Sequence, residues 1–270
     1  KPSLESYLSV LFHHLRCLLS VFEMMTDSGE KERQRVWHRL DKAFKKAMGR
    51  FSVIDDGDKI LVGLSGGKDS LLLLEMLAKR SKIIKPRFEV EAIHVRMANV
   101  KYETSTAYLE RFCSNLGVRL HIVTTSFDET VPTHKPKCFL CSWYRRKEMF
   151  NLAQQLGCNK IALGHHNDDI IHTALMNTIF QGHFSTMPVV LKMKKMPLTI
   201  IRPLCYCEEN DIRAYAELSD YEKQVKLCPY EHDSHRTSIR LLYDQLEKMA
   251  PEVRYSIWNA LETEGKLVEE

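Results

Sequence analysis

The chain has no long uninterrupted apolar run. Its most hydrophobic stretch, Leu4–Phe22, is broken by Glu5, His13, His14 and Arg16, whereas a membrane-crossing helix needs ~20 mostly apolar residues. The stretch also has no small-residue cleavage site of the kind a signal peptide carries, and it reads as an amphipathic helix. Glycine and proline are sparse, at 11 and 9 of 270 residues, which excludes collagenous and low-complexity chains. A strong charge of one sign is missing too. The net charge is +4, so any nucleic-acid surface has to be local. Hydrophobic residues make up 44% and charged residues 27%, near the globular average and unlike a disordered chain. A chain of 270 residues can bury a sizeable core unaided, as one large domain or two small ones. It begins with Lys1; Met24 or Met25 would be an alternative start, leaving Lys1–Glu23 as upstream sequence.

Cysteine is not scarce. There are eight, at positions 17, 113, 138, 141, 158, 205, 207 and 228. Without a secretion signal, clustered cysteines point to metal or redox chemistry rather than a disulfide framework.

Apolar spacing at Val36, Leu40, Ala43, Phe44 and Ala47 predicts a helix over Glu30–Phe51. Between Lys31 and Arg50 eight Lys/Arg face only Glu32 and Asp41, which is either a solvated face or a phosphate-binding arm. From Lys59 the pattern alternates. Strands are expected at Lys59–Leu64, Glu89–Val95, Arg119–Thr124, Lys160–Leu163 and Leu198–Arg202. Helices are expected at Ser70–Arg80, Thr104–Leu116, Ser142–Leu156 and Asn167–Phe180, three of them closed by Gly117, Gly157 and Gly182. This is an α/β pattern: a parallel five-stranded sheet with helices on both faces. Ligands of such sheets bind beyond the carboxyl ends of the strands. The expected divisions are 1–29, an N-terminal helix; 30–56, the basic helix; 57–207, the strand-helix unit with a C-x-x-C insertion; and 208–270, helices around a loop at Lys226–His235.

After the first strand comes Ser65-Gly66-Gly67-Lys68-Asp69-Ser70. The glycines let backbone N–H groups approach a ligand, and the next helix adds its amides and dipole. Asp69 follows the lysine where a Walker A loop needs Ser or Thr. The pattern resembles the SGGxDS loop of the PP-loop ATP pyrophosphatases. That resemblance implies cleavage of ATP between the α- and β-phosphates, with Ser65, Gly66, Gly67, Lys68, Asp69 and Ser70 binding the nucleotide and Lys68 and Asp69 in catalysis. After the fourth strand comes Gly164-His165-His166-Asn167-Asp168-Asp169. Asp168 and Asp169 are either helix-capping residues or Mg²⁺ ligands. His94, ending the second strand, lines the nucleotide pocket or is a satisfied edge histidine. Gly164 is a further candidate at the nucleotide, and Asp169 a third catalytic candidate.

Cys138-Phe139-Leu140-Cys141 is a C-x-x-C expected in a loop between Pro136 and the Ser142 helix, and Cys228 stands far downstream. A structural zinc site wants a second pair; three thiolates suit an iron–sulfur cluster. The series SGGKDS, CFLC, LGHHNDD, IRPL and LC, in that order over about Lys31–Leu261, resembles the tRNA 2-thiocytidine synthetase (TtcA) family. The family often has another cysteine three residues before the last, where this chain has Val225. The resemblance implies ATP, Mg²⁺ and a [4Fe–4S] cluster on Cys138, Cys141 and Cys228 as cofactors. It implies adenylation and thiolation of an anticodon-loop cytidine, position 32, in the cytoplasm without a membrane. The implied partners are tRNA and a sulfur donor such as a cysteine desulfurase, and a homodimer is compatible with it. Lys31–Arg50, Arg145, Arg146, Lys147 and Lys192–Lys195 are candidate RNA contacts. Cys113 and Cys158 read as core; Cys205 and Cys207 as strand-end residues or a spare sulfur acceptor. The rivals are a lysidine synthetase or another thiolated base, a non-catalytic zinc- or cluster-bearing RNA-binding module, and an amidotransferase-type pyrophosphatase. They are disfavoured respectively by the three cysteines, by the intact SGGKDS and by the lack of length for a glutaminase domain.

Overall fold

A computed structural model describes residues 4–102, 104–128, 130, 135–223, 225–227 and 235–269. The first helix, α1 (Leu4–Phe51), is continuous across residues 29 and 30. Its stripe of Val36, Leu40, Phe44 and Ala47 is buried. It lies on α6 (Glu209–Leu218), where Arg39 grips Asp211 through two nitrogens at 2.8 and 3.1 Å.

Strand β1 (Asp58–Gly63) leads into α2 (Lys68–Ser81), then β2 (Phe88–Met97), the short β3 (Lys101–Tyr102), α3 (Ala107–Leu116) and β4 (Arg119–Thr125). There follow α4 (Lys137–Leu156), β5 (Lys160–Ala162), α5 (Asn167–Gln181), β6 (Val190–Lys192) and β7 (Thr199–Ile201). After α6 come β8 (Lys226–Leu227), α7 (His235–Met249), α8 (Val253–Thr263) and β9 (Val268–Glu269). The main sheet has seven strands, ordered β4-β2-β1-β5-β7-β6-β9. The five expected strands are β4, β2, β1, β5 and β7, all parallel. The two additional strands are short edge pieces: β6 runs antiparallel to β7, and β9 pairs with β6.

The alternation of a two-faced strand is plain in β1. Ile60 and Val62 enter one core with α1, α2 and α6, while Leu61 enters a second with Ala153 of α4 and Ile161. The chain steps from β1 out to β2 and β4 and then returns to β5 on the other side of β1. This puts the topological switch point, and the expected ligand crevice, at the carboxyl ends of β1 and β5.

The opposite end of these strands is held by charge. The buried Lys160 ammonium lies 2.7 Å from Asp58, 2.8 Å from Asp55 and 3.1 Å from the Val53 carbonyl. Asp58 is 4% exposed, so it depends on that cation. Lys160→Met keeps the apolar stem but strands the carboxylate, and is expected to cost about 3 kcal/mol in urea unfolding. Adding Asp58→Asn should return more than half of the loss. A single-variant cost below about 1 kcal/mol would show the pair to be dispensable.

Candidate active site

Gly66 takes φ +84°, a left-handed conformation open to glycine, and turns the chain into α2. Gly67 caps that helix without any side-chain hydrogen bond. The loop is braced from within: Ser70 Oγ donates to the Gly67 carbonyl at 2.9 Å and accepts from Ser65 N at 3.2 Å. An uncapped N-terminus over a braced turn is an anion cradle. Lys68 Nζ lies 3.1 Å from Asp69 and 3.4 Å from Glu209.

The loop after β5 sits directly on this cradle. A Cβ on Gly164 would come within 3.0 Å of the Asp69 carbonyl and 3.1 Å of Ser70 N, so only glycine lets the two backbones meet. Asp169 accepts from His166 N at 3.1 Å, capping α5. His166 is buried, with Nε2 3.4 Å from Asp169 and 3.8 Å from Asp69. Burial pulls the His166 pKa down. The hydrogen bond to Asp168 and the charges of Asp169, Asp69 and Asp168 outweigh it and raise the value.

Asp168 differs from the expectation of a free Mg²⁺ ligand. Its Oδ1 takes Arg254 at 2.9 Å and its Oδ2 takes Glu209 N at 2.8 Å. Burial alone would raise its pKa; hydrogen bonds from His166 and Arg254, the Arg254 charge and the Glu209 amide hold it well below the usual carboxylate range. Arg254 also reaches Asn167 at 2.8 Å and Glu247 at 3.0 Å. Asp168 therefore fastens α6 and α8 to the β5 loop; Asp69, Asp169 and Glu209 face the polar cavity, Glu209 being taken up by Lys68, Arg213 and Arg240. Among the described residues no three His, Cys, Asp or Glu side chains form a metal-holding group. Two carboxylates facing a phosphate cradle match the way Mg²⁺ is bound, through one or two carboxylates plus substrate phosphates.

Two cavities open on either side of the loop. One, of about 310 Å³, is walled by Gly63, Leu64, Ser65, Gly67, Ile93, His94, Val95, Tyr102, Arg145, Met149, Leu163 and Lys223. The other, of about 340 Å³, is polar and holds Lys68, Asp69, His166, Asp169, His172, Glu209, Arg236 and Arg240. His94 is 2% exposed, and its Nδ1 lies 2.7 Å from the Leu64 carbonyl. It therefore belongs to the first cavity wall and is not an edge residue.

The C-x-x-C lies on the first turn of α4, not in a loop. The Pro136 carbonyl accepts from Phe139 N at 2.9 Å and Leu140 N at 3.2 Å, starting the helix at Lys137. A proline at this edge loses no helical hydrogen bond. Cys138 is exposed and Cys141 buried against Met97, Val100 and Phe127, with Tyr102 packed alongside. Thiolate is the form of cysteine that ligates iron. Cys228 lies outside the described residues. Lys226 and Leu227 just before it pair with Tyr102 and Lys101, so the chain leading to Cys228 runs beside the wall that Cys141 and Tyr102 share. Cys138 and Cys141 are thus two thiols on one helix near the chain that leads to Cys228, a donor set that suits iron.

Four and eight residues beyond Cys141 on the same face of α4, Arg145 and Met149 line that cavity. Arg145 donates to the Tyr102 hydroxyl at 3.2 Å, so it is turned inward rather than toward RNA in solvent; Arg146 and Lys147 are exposed. The i, i+4, i+8 spacing from Cys141 carries this signal in the sequence. Tyr102, Lys223, Glu209 and Arg254 carry no comparable signal, because their partners are distant in the chain.

A PP-loop domain family matches residues 34–242. The tRNA-cytidine(32) 2-sulfurtransferase of Pseudomonas syringae pv. tomato is 35% identical, with 83% of each chain covered. This chain belongs to that PP-loop family. The Pseudomonas putida (strain W619) relative of the same name is 34% identical, with 83% of each chain covered. Among solved structures, the U34-tRNA thiolase NcsA from Methanococcus maripaludis, which holds a [4Fe-4S] cluster, aligns with TM-score 0.71 and 28% identity. The alignment covers 86% of this chain and 79% of that one. As a PP-loop sulfurtransferase the chain is an ATP-dependent enzyme whose fold and cofactor class agree with the resemblance in its motifs. Among the described residues no helix is long and apolar enough to cross a membrane.

Cys113, Cys158, Cys205 and Cys207 behave as core. Burial pushes the thiols of Cys113 and Cys158 up to about 11, and those of Cys205 and Cys207 higher still. Cys207 also donates to the Leu40 carbonyl. Neither member of the C-x-C has the thiolate character a sulfur acceptor needs. Iodoacetamide at neutral pH, applied to metal-free folded protein and followed by peptide mass spectrometry, is expected to label Cys138. It should leave Cys113, Cys158, Cys205 and Cys207 unmodified until denaturant is added. Native-state labelling of Cys205 or Cys207 would restore them as sulfur carriers.

Proposed function

We propose that this enzyme thiolates cytidine 32 of tRNA, and that the first cavity is where ATP activates the base. The observation that carries the proposal is the continuous face of α4. The C-x-x-C opens the helix, and Arg145 and Met149, one and two turns on, form the wall of a cavity that ends at the phosphate loop. One helix thus joins the place where sulfur chemistry would occur to the place where phosphate is cleaved.

The cytosine 2-carbonyl oxygen is a poor leaving group. Its attack on the α-phosphorus breaks the bond to the β-phosphate bridging oxygen and releases pyrophosphate; a sulfur nucleophile at C2 then expels AMP. The α2 amides and Lys68 meet the charge that develops on the departing pyrophosphate. Asp69 and Asp169 would hold Mg²⁺ together with the phosphates, supplying positive charge to the departing pyrophosphate. Asp168 and Arg254 keep the β5 loop in place, and Gly164 lets it approach the cradle. Cys138, Cys141 and Cys228 would hold the [4Fe–4S] cluster, which when bound supplies an iron position not taken by cysteine. The substrate base comes from a single-stranded loop and can be splayed out of its stack.

We read residues 57–207 as the nucleotide unit and 208–270 as the region that closes over it. The basic stretch of α1 is a weaker RNA arm than its charge suggests. Arg33, Arg35, Arg39, Lys45 and Arg50 pair with Glu30, Glu32, Asp211, Asp41 and Glu262, and Lys46 lies 4.1 Å over the Tyr206 ring. Exposed pairs are weak and can exchange for phosphate, so the arm and Lys192–Lys195 remain tRNA contacts in this reading. The reaction is cytoplasmic, and the sulfur comes from a donor such as a cysteine desulfurase. The U34 thiolase likeness supports a second reading, the same chemistry on a uridine 2-carbonyl.

With α-³²P-labelled ATP and tRNA, the expected products are AMP and pyrophosphate. Asp69→Ala and Asp169→Ala should lower AMP formation at least ~10²-fold, the scale of losing a positioned charge in such chemistry. Conversion of the label to ADP would contradict α–β cleavage.

A further inference from the structure

We propose that His94 reads the six-position of the purine: its Nε2 accepts a hydrogen bond from the exocyclic amine of adenine, which makes this histidine the residue that selects ATP over GTP. The inference rests on the reading of the first cavity as the nucleotide site.

The ring is locked from one side. Nδ1 lies 2.7 Å from the Leu64 carbonyl, and a carbonyl can only accept, so Nδ1 carries the proton. Nε2 is then a bare acceptor. It is buried and has no hydrogen-bond partner within the protein, an arrangement that folded proteins rarely tolerate without a function. His94 belongs to the wall of the cavity that ends at Ser65 and Gly67. Apolar side chains of Ile93, Val95, Met149 and Leu163 share that wall with Tyr102, Arg145 and Lys223; the apolar group suits the faces of a planar base, while the phosphate loop stands at the other end for the triphosphate. Arg145 Nε on the same wall is also buried and unpartnered, but it is a donor; among the described residues of this wall the unpartnered acceptor is His94 Nε2, placed to meet a base's N–H.

The choice follows from the tautomer. Adenine brings an N–H donor to position six, and guanine brings a carbonyl oxygen, which would set acceptor against acceptor at a buried Nε2. A protonated ring would reverse the preference by turning Nε2 into a donor. Burial opposes that protonation, and the nearby charges of Arg96 and Arg145 oppose it further; the Leu64 carbonyl works the other way, and the net pKa is lowered. The acceptor state is the resting one.

Equilibrium binding and AMP formation with ATP, GTP and purine riboside triphosphate, which has only hydrogen at position six, test this in the intact enzyme. The wild type is expected to prefer ATP over purine riboside triphosphate roughly tenfold, the scale of one net hydrogen bond, and over GTP by more. In His94→Ala the preference for ATP over the riboside analogue should fall to within about twofold. In His94→Gln, whose amide can present either its N–H or its oxygen, GTP should be accepted alongside ATP; this variant also guards against a folding defect in the alanine one. A purely structural role would lower binding of all three nucleotides together and leave their ratios alone. If the wild type binds ATP but its preference survives both substitutions, the inference fails and the nucleotide site stands. If the wild type does not bind ATP, both fail.

Discussion

The site depends on one close approach. The loop after β5 lies against the start of α2 with no room for a side chain at Gly164, whose Cβ would be 3.0 Å from the Asp69 carbonyl. That contact is what puts His166 and Asp169 beside Asp69 and leaves the phosphate cradle between two cavities. It exists because β1 and β5 are neighbours at the switch point of the sheet, so the two loops must leave the same edge. The C-terminal helices then fix the arrangement from outside, through a carboxylate, Asp168, buried against Arg254. Losing the arginine would leave that carboxylate without its charge partner in a partly dry setting, a costly state.

The second organising element is α4. Its first turn holds Cys138 and Cys141, and its next two turns supply Arg145 and Met149 to the cavity. The Arg145–Tyr102 hydrogen bond and the pairing of Lys101–Tyr102 with Lys226–Leu227 draw the downstream chain to the same corner. In the proposed reaction, sulfur delivery and base activation would share this one neighbourhood, as a two-stage displacement at a single carbon requires.

Much of this was legible in the residue order. Five apolar runs marked five parallel strands, and SGGKDS announced its cradle because few sequences combine paired glycines, lysine and two serines at a strand-to-helix turn. The edge strands β6 and β9 leave no mark in the residue order, because three- and two-residue strands carry no periodicity. The helix α4 begins before the residues its pattern predicts, because Pro136 and the cysteines carry loop-like composition although a proline is well suited to a helix edge. Asp168 could be read as a cap or a metal ligand, but its clasp with Arg254, 86 residues away, is a tertiary fact. The charge of α1 suggested a nucleic-acid arm, and local sequence could not show that Asp211 and Glu262 would neutralise Arg39 and Arg50.

The central claim is that the fold activates the 2-carbonyl of one tRNA pyrimidine for sulfur. Its most direct test is mass spectrometry of nucleosides and of mapped oligonucleotides from tRNA treated anaerobically with reconstituted enzyme, ATP, Mg²⁺ and a sulfide source. The account predicts 2-thiocytidine, confined to position 32, absent when ATP is omitted and absent in a Cys141→Ala enzyme. Thiolated uridine at position 34 would transfer the same chemistry to the other base. Sulfur-free tRNA from an enzyme that still converts ATP to AMP would contradict the claim.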